Sequence, residues 1–318
     1  MANYYGMVST SKSEAYTRLA VDSFLKHTPL SADDEFFLID NDATLEVRRH
    51  PAINLLRNAV PLSFAANVNQ VLRMAVADNK DLVFVNNDIV FTPDWLSPLV
   101  TERAILVPMS NQHLAIRSAG WLQPTMDLEQ YIGHEDDLEQ LAQQVRKHEQ
   151  FRGRTACFLH ISFYCFRLPS QISAAVGLFD ESFDRGGGED VDYRIRAHLA
   201  GFDVRLALSS FVLHFMGKST WRGAETAEET RTRDAQCLER FVRKWGYDLA
   251  QIFLLDGRYL EPVERLGLRP LLEANNYRDL IRVCLEERST GTHTRPEERN
   301  DEGSPPDDDP GDAAEHQP

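Results

Sequence analysis

Short apolar runs alternate with stretches of helical periodicity along the first hundred residues. The runs predict buried strands at 4–8, 35–40, 53–56, 82–85 and 104–107. Between them, residues 13–26 and 64–76 have apolar positions at helical spacing. Strands that alternate with helices predict an α/β fold, with a mostly parallel sheet covered by helices on both faces.

Polar residues follow four of these predicted strands. They are Ser9 and Thr10, then Asp40, Asn41 and Asp42, then Asn58, and finally Asn86, Asn87 and Asp88. Ligands bind outside the carboxyl ends of the strands in an open parallel sheet, so the four clusters together predict a pocket. Strand ends are often polar in any protein, and each cluster alone has that simpler explanation.

The later part of the chain has a weaker pattern. Thr92 and Pro93 resemble the cap and first position of a helix. Residues 127–150 form a charged, exposed helical segment, which we interpret as an insertion or lid, and 157–168 is strand-like. Residues 228–245 are predicted to be helical, and 266–287 to form one or two further helices.

Three features carry candidate chemistry, and the first is Asp88. Its carboxylate directly follows a buried strand, with Asn86 two residues earlier. Mg²⁺ and Mn²⁺ prefer carboxylate and water oxygens, usually beside the phosphates of a substrate. The triplet therefore predicts a divalent metal site, although a turn that caps the strand would have the same sequence.

The second feature is an acidic block after three glycines, Gly186 to Gly188. Glycines let the backbone approach a ligand closely. Glu189, Asp190 and Asp192 follow, and a helix begins there, with its apolar side at Val191, Ile195, Leu199 and Phe202. Acidic residues at a helix start can simply complement its dipole, but three within four residues exceed that need. We therefore expect carboxylates at the edge of the pocket.

The third feature is His214, which ends an apolar run and precedes a loop with Lys218. A histidine after a strand is most often structural. A neutral imidazole could also complete a metal site begun by Asp88.

Five motifs in this order resemble the family 2 glycosyltransferases with the GT-A fold. They are LIDND (38–42), FAANVNQVLRMA (64–75), VFVNNDIVFTPDWL (83–96), GLFDESFDRGGGEDVDYRIRAHLAGFDV (177–204) and HFMGKS (214–219). The resemblance spans residues 1 to about 220. It implies a Rossmann-like GT-A domain at 1–225, with a nucleotide-sugar half (1–108) and an acceptor half (109–225) that contains a helical insertion at about 121–152. A helical extension at 226–288 would follow.

The resemblance also implies a role for each matching residue. The nucleotide-sugar pocket would be lined by Thr10, Asp40, Asn41, Asn58, Asn67, Asn86 and Asn87. Asp88 would contact a divalent metal, Mn²⁺ or Mg²⁺, with His214 in the metal or phosphate shell. Asp190 would be the general base beside Glu189, and transfer would invert the anomeric carbon. Asn86 replaces the first aspartate of the family's DxD motif, as in rhamnosyltransferase-like branches, which removes one charge from the metal site.

Two other functions stay open. A sugar nucleotidyltransferase would share the fold, but it generally needs a basic, glycine-rich loop after the first strand, where this chain has only Lys12. A catalytically weak or inactive nucleotide-sugar-binding module is the other alternative, and Asn86 is the residue that favours it.

The amino-acid composition narrows the binding partners and the cell compartment that we expect for this protein. The formal charge of the 318 residues is −15, and residues 289–318 hold nine acidic residues against two arginines (9 − 2 = 7), so the rest has −8. We expect this tail to be disordered. No basic stripe favours nucleic acid. The sequence predicts a cytoplasmic protein, with possible peripheral membrane association. It has four cysteines without a CxxC pair, no signal peptide and no long apolar run. A nucleotide-sugar donor and a glycan or lipid-linked acceptor, as in surface polysaccharide synthesis, are the expected partners.

Overall fold

The computed structural model describes residues 2–45, 50–100, 103–113, 120–184, 187–218, 226–255 and 259–290. Gly186, Ser219 and nearly all of the predicted acidic tail lie outside these ranges. The described strands form one sheet of nine: β1 Asn3–Ser9, β2 Glu35–Asp40, β3 Ile53–Arg57, β4 Asp81–Val85, β5 Ile89–Phe91, β6 Ala104–Ser110, β7 Thr155–Ala156, β8 Cys165–Leu168 and β9 Asp203–His214.

The order of the strands is β3-β2-β1-β4-β8-β6-β9-β5, with β7 paired to β9. The first four strands are parallel, as the sequence predicts. The second half is mixed because β8 lies antiparallel between β4 and β6. Since β6 and β9 are parallel to each other, the carboxyl ends of β1, β2, β4, β6 and β9 meet the start of β8 at one edge. We call this the carboxyl edge.

Helices cover the sheet and extend the chain. Their bounds are α1 Glu14–His27, α2 Phe64–Ala77, α3 Leu128–Tyr131, α4 Glu135–Lys147, α5 Ser170–Val176, α6 Glu189–Leu199, α7 Ala227–Trp245, α8 Tyr247–Leu249, α9 Leu260–Arg265, α10 Arg269–Glu273 and α11 Tyr277–Thr290. Short 3₁₀ helices lie at Ser11–Ser13, Ser97–Leu99 and Glu181–Phe183, and a π-helical turn at Ala250–Leu254. Helix α2 packs on β1 and β4, with Ser63 as its cap. All five residues of β4 are buried, which explains its continuous apolar run.

Two local predictions are wrong. Thr92 does not begin a helix, because its hydroxyl donates to the carbonyl of Phe211 (2.6 Å) and Asp94 has a positive φ of 60°. Residues 157–168 are not one strand, and only β8 at their end pairs with the sheet. Before β8 the chain is irregular, and its carbonyls at Leu159 and Ile161 accept hydrogen bonds from the Arg194 guanidinium.

Helix α4 covers the sheet rather than standing away from it as a lid. Its Leu138, Ala142 and Val145 are buried against β9, in a cluster with Phe211 and Leu213. The charged residues that mark this segment in the sequence occupy its other side. An amphipathic surface helix has this arrangement.

The C-terminal helices form a second apolar cluster with α6, which includes Val191 and Ile195. Polar contacts strengthen this attachment. The fully buried carboxylate of Asp192 accepts from Trp245 Nε1 (2.8 Å) and pairs with Lys244 Nζ (2.6 Å) and Arg196 Nε (2.8 Å). The helix that begins with the acidic block is therefore fixed from the C-terminal side.

Candidate functional site

Asp88 and His214 lie together at the carboxyl edge. The antiparallel pairing of β5 with β9 places Ile89 opposite His214, so the residue before β5 lies next to the histidine. His214 Nε2 is 3.4 Å from Asp88 Oδ1, and both side chains are buried. Asp88 Oδ2 also accepts from the backbone N–H of Lys218 at 3.0 Å. The two residues that the sequence singles out as metal ligands are thus neighbours in space.

Residues beside the ends of other strands hold His214 in place. The Tyr164 ring stacks on it, with centroids 4.7 Å apart and planes 17° apart. The Tyr164 hydroxyl donates to the carbonyl of Pro108. The Asn111 side chain accepts from the His214 backbone N–H at 2.9 Å. Neither imidazole nitrogen makes a hydrogen bond with the described residues. A buried, oriented and unbonded imidazole is suited to a ligand.

Asp190 approaches the same place from helix α6. The backbone N–H of Phe163 stabilises its charged carboxylate. The adjacent Tyr164 accepts at its carbonyl from the backbone N–H of Asn86 (2.7 Å). Residues 163 and 164 therefore connect the Asp190 carboxylate to the segment that holds Asp88. Burial raises the pKa of Asp190, and the Arg194 charge opposes this shift.

Glu189 binds the backbone of the glycine loop. Its Oε2 accepts from the backbone N–H of Gly187 at 2.6 Å, next to Cys237 and Arg233 of α7. Burial, with the charge of Asp190 as a second cause, raises the pKa of Glu189 to about 7. Gly188 has φ of 97°, and a Cβ there would lie 3.1 Å from the sulfur of Cys237. Glycine is thus required where the loop enters α6, and Glu189 stabilises that loop.

Asn41, Asn58 and Asn67 also come together, but they bind one another. Asn41 Oδ1 accepts from the amides of Asn58 (2.8 Å) and Asn67 (3.1 Å), and from the backbone N–H of Leu62 (2.9 Å). Asn67 Oδ1 accepts from Asn58 (2.8 Å) and Gln70 (3.2 Å). All three asparagines are buried. We call these residues with Gln70 the asparagine cluster, and it fastens the loop after β3 to the end of β2.

Asp40 and Thr10 likewise satisfy the backbone around them. The buried Asp40 carboxylate accepts from the backbone N–H groups of Thr44 and Leu45, each at 3.1 Å. The Thr10 hydroxyl is 3.3 Å from that of Ser13. These two side chains lie at the predicted edge and shape its loops.

Asn86 and Asn87 differ in orientation. The amide nitrogen of Asn87 donates to the hydroxyls of Ser13 (2.7 Å) and Thr17 (2.8 Å), so its buried side chain joins α1 to the end of β4. Asn86 is half-buried. Asn86 is thus the more exposed side chain of the pair.

Sequence reasoning did not single out Tyr164 or Asn111. Asn111 donates from its amide to the carbonyls of Gln123 (2.8 Å) and Pro124 (3.1 Å), and in this way holds the loop before α3 next to His214. Their only sequence signal is position beside a strand end, since Tyr164 precedes β8 and Asn111 follows β6.

Comparison with known proteins identifies the fold of this chain but no sequence family. No family profile matches the sequence, and no curated protein matches it. Among solved structures, GalNAc-T7 with UDP, GalNAc and Mn²⁺ matches 80% of this chain at 16% identity, with a TM-score of 0.52. The mannosyltransferase PcManGT from Pyrobaculum calidifontis, in complex with GDP-Man and Mn²⁺, matches 92% of this chain at 12% identity, with a TM-score of 0.50. The chain has the GT-A fold.

The GT-A fold prediction is thereby confirmed, whereas family 2 membership and the rhamnosyltransferase-like branch stay predictions. The chain spans about half the length of GalNAc-T7 (49%) and 76% of PcManGT. No helix in the described ranges is both long and apolar enough to span a membrane. Within the same ranges no group of three or more His, Cys, Asp or Glu residues is arranged to hold a metal ion.

Proposed function

We propose that this chain is an inverting glycosyltransferase that moves a sugar from a nucleoside diphosphate sugar to an acceptor hydroxyl. The observation that carries the proposal is that residues 163 and 164 connect Asp190, which the Phe163 N–H stabilises, to His214, on which the Tyr164 ring stacks. The Asp88–His214 pair would supply two metal ligands, and Asp190 a separate carboxylate, at the edge where such sheets bind ligands. The GT-A fold supports the same reaction class, and both matched structures contain a nucleotide or nucleotide sugar with Mn²⁺.

The Asp88–His214 pair fits a divalent metal. A carboxylate oxygen and an imidazole nitrogen 3.4 Å apart can share one cation, and the His214 nitrogens have no hydrogen bond within the described residues. Mg²⁺ and Mn²⁺ are commonly held by one or two side chains, with substrate phosphates and water as the other ligands. When bound, such an ion would act as a Lewis acid on the diphosphate leaving group. Tyr164 and Asn111 would hold the histidine in place.

Asp190 is the proposed general base. The acceptor oxygen forms a bond to the anomeric carbon while its proton passes to the Asp190 carboxylate. The bond from that carbon to the diphosphate oxygen breaks, and its electron pair leaves with the nucleoside diphosphate. A single displacement of this kind inverts the anomeric centre. The raised pKa of Asp190 makes it a stronger base than an ordinary aspartate, and Glu189 acts as a positioning residue for the loop.

The nucleotide and the sugar are the open part of the proposal. Asn86 is the half-buried polar side chain nearest to Asp88 in the chain, whereas the asparagine cluster contributes through the loop that it holds. UDP, GDP and dTDP sugars should therefore be compared, with glycans and lipid-linked glycans as acceptors.

The test is a calorimetric titration of these donors with and without Mn²⁺, followed by turnover measurements on the donor that binds. Asp190→Asn should lower turnover by about 10²–10⁴-fold, the usual contribution of a general base, and leave donor affinity within about twofold. Asp136→Asn, an exposed change on α4, is the matched control and should alter neither.

Three results would contradict the proposal in different ways. Metal-dependent binding without turnover would indicate a binding module. Formation of a nucleotide sugar from a nucleoside triphosphate and a sugar phosphate would indicate a nucleotidyltransferase. Retention of more than about a tenth of the turnover by Asp190→Asn would show that another group is the base.

A further inference from the structure

A polar cavity lies at the opposite end of β6 and β9 from the candidate site. Its volume is about 940 Å³. Its walls come from the 3₁₀ helix Ser97–Leu99, the start of β6, the end of α4, the loop before β7 and the start of β9. Six basic side chains line it: Arg103, Arg146, Lys147, Arg152, Arg154 and Arg205.

The position of this cavity separates it from the transferase site. Ala104 pairs with Asp203 where β6 and β9 begin, whereas His214 ends β9 at the carboxyl edge. Arg205 and His214 are nine residues apart on that strand. Because β9 bulges between Ala207 and Phe211, they are separated by about six strand steps, or roughly 20 Å at about 3.3 Å per step. One small ligand cannot touch both places.

The charge of the cavity is strongly positive. Among the described residues that line it Asp203 is acidic, and Asp94 outside the lining neutralises Arg146, so six positive charges and two negative charges leave +4 (6 − 2 = 4). Asp94 pairs with Arg146 (2.9 Å), and Asp203 lies 3.8 Å from Arg205. Lys147, Arg152 and Arg154 have no ion pair within the described residues. The buried Nε of Arg205 also makes no hydrogen bond there.

This concentration of positive charge stands out because the whole chain has a formal charge of −15. An acidic protein repels anions in general, so any anion that binds must be attracted by a local field. Like charges around a concave wall reinforce one another's potential. They also repel one another when no anion is present. A bound anion would therefore relieve a local electrostatic cost.

We propose that this cavity binds a small soluble polyanion that carries several phosphate groups, independently of the proposed transferase reaction. Guanidinium groups match phosphate oxygens in bidentate pairs, and five of the six basic side chains are arginines. A net charge of +4 is matched by a ligand with about four negative charges, such as a triphosphate chain. The concave wall favours a compact ligand over the flat surface of a lipid bilayer.

The test is titration of the full chain with sodium tripolyphosphate and with inorganic phosphate. Divalent metals are removed with a chelator so that a metal-dependent diphosphate site does not contribute. We expect saturable 1:1 binding of tripolyphosphate, at least tenfold tighter than phosphate, which weakens as salt rises. Arg152→Gln/Arg154→Gln should weaken it at least tenfold, because both side chains are exposed and lack ion pairs.

Two control variants locate the binding. Arg18→Gln/Arg282→Gln removes the same charge from exposed positions on α1 and α11 and should change the affinity less than twofold. Asp88→Ala alters the transferase site and should leave tripolyphosphate binding unchanged. The double cavity variant should in turn retain the wild-type donor affinity, which keeps this test independent of the proposed function.

Four outcomes would overturn the proposal. They are absence of saturable binding, equal weakening in the Arg18/Arg282 control, loss of binding in Asp88→Ala, and binding to phosphatidylcholine vesicles containing phosphatidylglycerol without binding of tripolyphosphate. The last would assign the basic residues to a membrane surface.

Discussion

Two groups of buried polar side chains lie at the same edge of the sheet, and they differ in how their hydrogen-bonding atoms are used. In the asparagine cluster, Asn41, Asn58 and Asn67 donate to and accept from one another and from the backbone. At the Asp88–His214 pair, both imidazole nitrogens lack a hydrogen bond within the described residues. Both groups are equally buried, so burial alone does not separate them.

This difference in hydrogen bonding indicates which of the two groups is structural. A buried polar atom that has its partners stabilises the fold, whereas one without a partner costs about 1–3 kcal/mol. The asparagine cluster therefore contributes to folding, and a ligand has little to gain from it. The His214 imidazole carries a cost that a ligand would offset. Substitutions in the two groups should consequently affect different measurements.

Asp88→Ala should lower donor affinity more than a substitution in the asparagine cluster does. Loss of the carboxylate removes one of the two proposed metal ligands and leaves His214 as the other. We expect the Mn²⁺-dependent affinity for the nucleotide sugar to fall by about 10–100-fold, at least the effect of losing a supporting contact at a metal site. Calorimetric titration with and without Mn²⁺ measures it. Thermal unfolding without metal checks that the variant is still folded, because the substitution also removes the acceptor of the Lys218 N–H.

The control for this change is Asp136→Ala, which removes an exposed aspartate from α4. It should leave Mn²⁺-dependent binding unaltered. Equal binding by Asp88→Ala and the wild type would exclude Asp88 as a metal ligand. That result would also remove the distinction between the two polar groups on which the comparison depends.

Asn67→Ala should lower the stability of the protein and leave donor binding nearly unchanged. The substitution deprives Asn41, Asn58 and Gln70 of partners in a buried network. We expect the free energy of unfolding to fall by about 2 kcal/mol, within the range for an orphaned buried group. Denaturant titration measures it. The folded variant should retain Mn²⁺-dependent donor binding within about threefold, since the cluster holds a loop rather than the metal.

Asn54→Ala is the matched control for the stability measurement. Asn54 is exposed on β3 and donates to Glu35 at 3.2 Å. Its replacement should change the free energy of unfolding by no more than about 0.5 kcal/mol. If Asn67→Ala abolished donor binding while the protein stayed folded, the cluster would be part of the nucleotide pocket, as the family resemblance implies.

Much of the fold was predictable because local patterns determine it. Strands β1, β2 and β4 and helix α2 begin and end within one residue of the apolar patterns in the sequence. The position of β8 was not predictable, because a four-residue apolar run has the same sequence whether its neighbours are parallel or antiparallel. The mixed half of the sheet follows from that one strand.

The candidate site was predictable in its strand-end residues but not in their partners. Asp88 and His214 each follow from one strand end, and their proximity depends on the β5–β9 pairing. The asparagine contacts join residues 17 and 26 positions apart, so no local pattern shows that they satisfy one another. The basic cavity was visible in part, because four of its six basic side chains lie within residues 146–154, whereas only the fold adds Arg103 and Arg205 to them.

Glu189→Gln should give the smallest effect, and it separates a positioning carboxylate from a reacting one. Burial raises the pKa of Glu189 from 4.5 to about 7. Between these values the folded protein binds more protons than the unfolded chain, so the free energy of unfolding falls as pH rises. We expect the wild type to lose on the order of 1 kcal/mol from this residue between pH 5 and pH 8, and Glu189→Gln to abolish that loss.

Denaturant titrations at pH 5 and pH 8 measure the change, with the exposed Glu273→Gln as the control that should follow the wild type. Glutamine keeps an oxygen that can accept from the Gly187 N–H, so the loop should retain its conformation. Turnover should then stay within about tenfold of the wild type, well above that of Asp190→Asn. A loss of turnover as large as that of Asp190→Asn, with the loop intact, would instead make Glu189 a reacting group, because a residue that only positions the loop keeps its function when its hydrogen bond is kept.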